Sequence, residues 1–116
     1  MKNLVTFSIF ALLLFPASSL AADLAAGKAK YGQLCASCHG PEGKGDGPVA
    51  AALPADQKPA SFLTAKFKKV TDDASMKELI EKGGPAMGLS PLMAAIPALK
   101  GADLDNVIAY VRSLKQ

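Results

Sequence analysis

Five consecutive residues carry the most reactive chemistry of this 116-residue chain: Cys35-Ala36-Ser37-Cys38-His39. They hold both of its cysteines and its one histidine. Three chemistries use such a set. A Cys-x-x-Cys pair can be a dithiol redox centre, which expects a βαβ setting of the thioredoxin kind. Two thiolates and an imidazole can join a zinc site, which ordinarily has four N or S ligands. A Cys-x-x-Cys-His run can also take a haem. On a helical turn residues three apart share one side, so both thiols reach the vinyl groups along one edge of the macrocycle and the next residue brings its imidazole to the iron. No strand pattern flanks the cysteines, and zinc would have to recruit carboxylates. With His39 directly after the second cysteine, the spacing points to one covalently bound haem c on Cys35 and Cys38, with His39 as its proximal iron ligand.

Such a set needs elements that hold it, and the apolar spacing predicts three helices. The first starts at Asp23 as N-cap and carries Leu24, Gly27, Tyr31 and Leu34 at intervals of three and four, running into the cysteine motif. The second spans about Asp72 to Lys82, capped by Thr71, Asp72 or Asp73, with Met76, Leu79 and Ile80 inward and Gly83-Gly84 as its stop. The third runs from about Asp103 to Leu114, with Leu104, Val107, Ile108, Val111 and Leu114 in one stripe and Arg112 and Lys115 at its negative end. Between them lie loops rich in Gly and Pro over residues 40–67 and 83–101. A short helix is expected over Val49 to Leu53. Loops this long pack only against a partner, and a flat apolar cofactor between them would serve.

Residues 1–22 read as a secretory signal peptide: Lys2 gives the charged start, Leu4 to Phe15 the apolar stretch, Pro16 the break, and a small-residue run ends at Ala21-Ala22. The stretch before the proline is too short to span a bilayer, which takes roughly 20 apolar residues. One domain, 23–116, is expected to follow, exported to the periplasm and without a membrane span once the signal is removed. Lys2 is one of thirteen basic residues, so the mature chain carries twelve Lys and Arg against ten Asp and Glu, a formal +2. That balance, with no dense basic helix, argues against nucleic-acid binding. The run Lys66, Lys68, Lys69 reads first as a solvated face. No second histidine, paired-carboxylate motif or phosphate loop points to an enzyme. The mature aromatics are only Tyr31, Phe62, Phe67 and Tyr110, a thin core that a buried cofactor would fill.

Taken together, Gly27, Tyr31, Cys35 to His39, Gly47-Pro48, a methionine loop and the closing Ala109-Tyr110-Val111-Arg112-Ser113-Leu114 resemble the class I c-type cytochromes, mono-haem proteins, over essentially all of the mature sequence. The resemblance implies an all-α cytochrome c fold, three to five short helices around one haem, with the first and last helices crossing near Gly27 and Tyr110. It implies that the Pro48 carbonyl accepts from the second ring nitrogen of His39, fixing its tautomer. It also implies a methionine as distal iron ligand. Met76 belongs to a helix face, which leaves Met93 and Met87. Met93 has the family's distance to Tyr110, although Ala94 stands where the family has proline, and Met87 is the alternative. The function implied is single-electron transfer with haem, flavin or copper redox proteins of a respiratory or related chain, by a monomer. The other readings are a haem subunit of an oxidase or dehydrogenase complex, and a small-ligand sensor with an open sixth position.

Overall fold

The structure, a computed structural model, describes residues 21–64 and 67–115. Nearly all of the expected signal peptide, and Lys66 of the basic run, lie outside the described residues. Among the described residues there are four α-helices and no strand: α1 (Leu24–Leu34), α2 (Ala36–His39), α3 (Asp73–Lys82) and α4 (Gly101–Ser113). Short 3-10 turns form at Ala50–Ala52, Ala55–Gln57 and Gly84–Met87.

Helices α1 and α3 start at side-chain caps their sequence supplies; α2 and α4 do not. The Asp23 carboxylate accepts from the Ala26 amide at 3.0 Å, capping α1, while the Asp23 amide donates to Asn106 Oδ1 of α4 at 2.8 Å. Of the three cap candidates for α3, Asp72 serves, in a box with Ser75: the Ser75 amide donates to Asp72 Oδ1 at 2.8 Å and the Asp72 amide to Ser75 Oγ at 3.2 Å. Gly83, at φ +83°, ends that helix as its glycine pair predicts. Helix α4 begins two residues before Asp103, behind Lys100, which makes no side-chain cap.

The Ser75 bonds hold the Asp72 carboxyl below its ordinary value of 3.8. Its stabilising contribution is therefore complete above that value and lost as pH falls through the lower folded one. Asp72→Ala is expected to lower the melting temperature near neutrality, and the gap from wild type should close as the solution is taken well below pH 3.8. A gap that persists in acid would show that the cap acts otherwise.

The core forms where α1 crosses α4. Tyr31, Val107, Ile108 and Leu104 are each at most 2% exposed. The Tyr31 and Tyr110 rings meet edge to face at 5.2 Å. At Gly27 the backbones touch, because a Cβ there would overlap the Asn106 carbonyl and reach Tyr110 Cβ. Helix α3 adds Met76 and Ile80, and the segments leading into α3 and α4 add Val70 and Leu99. Two expectations change: Leu24 and Leu34 are exposed, at 49% and 42%. They sit at the two ends of α1, and a helix crossing one partner buries the residues at the crossing while its ends diverge. Exposed ion pairs tie the helices further: Lys30 to Asp103 at 3.2 Å, Lys77 to Asp105 at 2.6 Å and Arg112 to Asp73 at 3.0 Å. Solvent and salt screen such pairs, so they contribute less than the crossing does.

Candidate functional site

Cys35 is the joint between α1 and α2. Its amide donates to the Tyr31 carbonyl at 2.9 Å, closing α1, and its own carbonyl accepts from Cys38 and His39 at 3.2 and 2.9 Å, opening α2. One turn therefore carries both thiols and the imidazole. Both cysteines are free and half-buried. Burial, and then the neighbouring Cys38 thiol, push Cys35 up to about 11, so it stays a protonated thiol at neutral pH. A dithiol redox centre needs the opposite shift. Among the described residues no group of three or more His, Cys, Asp and Glu is placed to hold a metal ion.

His39 is held flat against Phe62, ring centroids 4.8 Å apart and planes 20° from parallel. A partner on the ring's face leaves the nitrogens, which point outward in the ring plane, free for other bonds. Burial lowers the His39 pKa, favouring the neutral imidazole whose lone pair can bind a metal. Its Nδ1 is buried and has no hydrogen-bond partner.

The loop after the motif is sewn to it. The amides of Gly45, Gly47 and Val49 donate to the carbonyls of His39, Cys38 and Ser37 at 2.8, 3.2 and 2.9 Å, and the buried Tyr31 hydroxyl donates to Gly40 at 2.6 Å. Alternate residues thus face the turn, and Pro48, between two of them, is exposed. The bond from His39 Nδ1 to the Pro48 carbonyl is not formed in this structure. At Gly47 a Cβ would lie on the Ser37 and Ala36 carbonyls. Gly47→Ala should therefore push the loop off the motif and cut the yield of holoprotein in an export system about fivefold or more, given that overpacking against fixed backbone costs about 1–3 kcal/mol. Pigment per milligram of purified chain measures it, and an unchanged yield would refute the tight contact.

The methionines separate by environment. Met76 is buried in the core, as its helix face predicts, and Met87 ends the Gly84–Met87 turn packed against that core. Met93 is half-buried in the following loop, where its amide donates to Ser90 at 3.1 Å and its carbonyl accepts from Gly84 at 2.8 Å. Lys69 is not a free surface charge: its ammonium donates to the Met87 and Gly88 carbonyls at 3.2 and 2.9 Å. Sequence reasoning missed Phe62 over the imidazole and the alternating amides of the loop. The glycines at 43, 45 and 47 were the available signal: the first two take φ of +73° and +77°, and the third leaves room for the motif's carbonyls.

The donor set fits a haem: two free, half-buried thiols on one turn, a neutral imidazole beside them, and a buried ring nitrogen with its bonding capacity unused. Comparison with known proteins agrees. Cytochrome c-554(547) of Halothiobacillus neapolitanus is 38% identical over 98 residues, covering 82% of this chain and all of that one. A chain of the Kuenenia stuttgartiensis reducing HAO-like protein complex superposes with a TM-score of 0.59 at 27% identity, over 78% of this chain and 41% of that chain. This chain thus spans less than half of the Kuenenia protein. The cytochrome c family model matches residues 24–115. With the helices, the Cys35–His39 turn and these likenesses in agreement, the chain belongs to the cytochrome c family.

Proposed function

We propose that this protein carries single electrons between redox proteins outside the cytoplasm, exported by residues 1–22 and holding one haem c through Cys35, Cys38 and His39, with Met93 on the far side of the iron. The observation that carries the proposal is the Cys35–His39 turn, with its half-buried thiols and neutral imidazole. When bound, haem c supplies a reversible one-electron iron couple whose potential answers to its axial ligands and to burial.

The chain's own residues do the rest. Cys35 and Cys38 fix the group covalently, so it stays with a small domain whose core is thin. His39 holds the iron from a ring braced by Phe62. The Pro48 carbonyl, adjacent to the amides that hold the loop, is the acceptor we assign to the unpartnered Nδ1, which would fix the tautomer and strengthen the ligand. Met93 is preferred to Met87 because the Met87 side chain is already engaged in core packing. A thioether there raises the potential and closes the iron to small molecules, which favours a carrier over a sensor. Full-length coverage of a small relative named as a cytochrome favours a carrier over a subunit of a larger oxidase.

Absorption spectra of the exported protein test this directly. The oxidised form should show the weak red methionine-to-iron band, the reduced form a sharp low-spin haem spectrum, and added carbon monoxide should change little. Rapid, complete conversion by carbon monoxide would mean an open sixth position and a ligand-binding function.

A further inference from the structure

Four successive carbonyls of the motif turn, Ser37 to Gly40, are bonded by donors outside α2. Val49, Gly47 and Gly45 supply backbone amides to the first three. The fourth, Gly40, accepts from the Gly43 amide at 3.1 Å and from the Tyr31 hydroxyl at 2.6 Å. The loop donors are backbone amides; the Tyr31 donor is a side chain, and a phenylalanine there would fill the same space without it.

Tyr31 touches the imidazole's surroundings by a second route. Its ring meets Phe62 edge-on at 6.5 Å, Phe62 lies flat on His39, and the Phe62 amide donates to Gly43 at 2.7 Å. One residue, 1% exposed and one turn before Cys35, therefore joins the α1–α4 crossing both to the residue after the histidine and to the ring that braces it.

We infer that Tyr31 is a positioning residue for the haem ligand: its hydroxyl locks the Gly40 turn, and through that turn and Phe62 it sets the plane of the His39 imidazole. This rests on His39 being the proximal ligand. Phenylalanine would serve for packing alone; the short bond to Gly40 gives the hydroxyl a separate task.

The test compares holoproteins carrying Tyr31→Phe, Tyr31→4-aminophenylalanine, which restores an N–H donor on the same ring, and Tyr110→Phe, which removes a hydroxyl from the same aromatic stack without touching Gly40. Amide exchange of Gly43, Gly45, Gly47 and Val49 in Tyr31→Phe should quicken about tenfold beyond any change at Val107 and Ile108 of α4, the factor expected for one lost hydrogen bond. The paramagnetically shifted haem methyl signals of the ferric form, which report the imidazole plane, should redistribute. The amino variant should return both readings toward wild type, and Tyr110→Phe should leave both unmoved. Equal acceleration in loop and helix with unshifted methyl signals, or identical exchange and methyl signals in the two Tyr31 variants, overturns the inference. Failure of the underlying haem assignment would look different: a chain with no haem mass.

Discussion

A Gly27→Val chain is expected to lose about 3 kcal/mol or more of stability, a large share of the 5–15 kcal/mol of an ordinary domain. The reason is local. A side chain at position 27 would meet the Asn106 carbonyl, which is backbone of a well-packed helix and cannot turn aside as a side-chain tip would. Relief requires α1 and α4 to separate, which would uncover Tyr31 and Val107 and disturb Asp23's bond to Asn106. The same helix holds its own control. Gly32 has nothing within 4 Å of a built Cβ, so Gly32→Ala should be neutral or stabilise by up to about 1 kcal/mol through helix propensity alone. Denaturant midpoints of the two holoproteins measure the contrast. Similar midpoints for Gly27→Val and wild type would mean that the crossing is looser than it stands here.

The second large effect concerns the iron. Met93→Ala should give a ferric protein that binds cyanide or imidazole on the order of a hundredfold more tightly, the factor expected when an internal competitor worth about 3 kcal/mol is removed. The weak red band should vanish with it, while Cys35, Cys38 and His39 keep the cofactor attached. Met87→Ala should instead behave as a packing defect: lower stability with the red band kept, because Met87 lies against the core cluster. If the two variants exchange behaviours, Met87 is the ligand.

Much of this was legible in the sequence for reasons that are local. The cysteine motif, the Asp72 cap, the Gly83 stop and the Leu104–Val107–Ile108–Val111 stripe each depend on residues within a turn or two of one another. What could not be read depends on which segment meets which. Leu24 and Leu34 fall in the apolar register of α1, yet α4 crosses that helix near Gly27 and leaves its ends exposed. The start of α4 at Gly101 was missed because Lys100 bears no capping side chain. Phe62 stands 23 positions after His39 in a segment without regular structure, and no periodicity links the two. Lys69 is exposed, as a solvated face implies, but it also closes the Met87–Gly88 turn, a partnership 18 and 19 residues distant. The loop was expected to need a cofactor to pack against. It also packs on the motif's own backbone, through amides that carry no side-chain signature.

The covalent attachment of one haem to this turn is tested most directly by the intact mass of the protein, denatured in acid after production in a host that exports the chain and attaches haem. A mature chain beginning at Ala22 or Asp23 and carrying the added mass of one haem that acid does not strip is the expected result. A chain of bare polypeptide mass, or one that sheds its haem on denaturation, would contradict it.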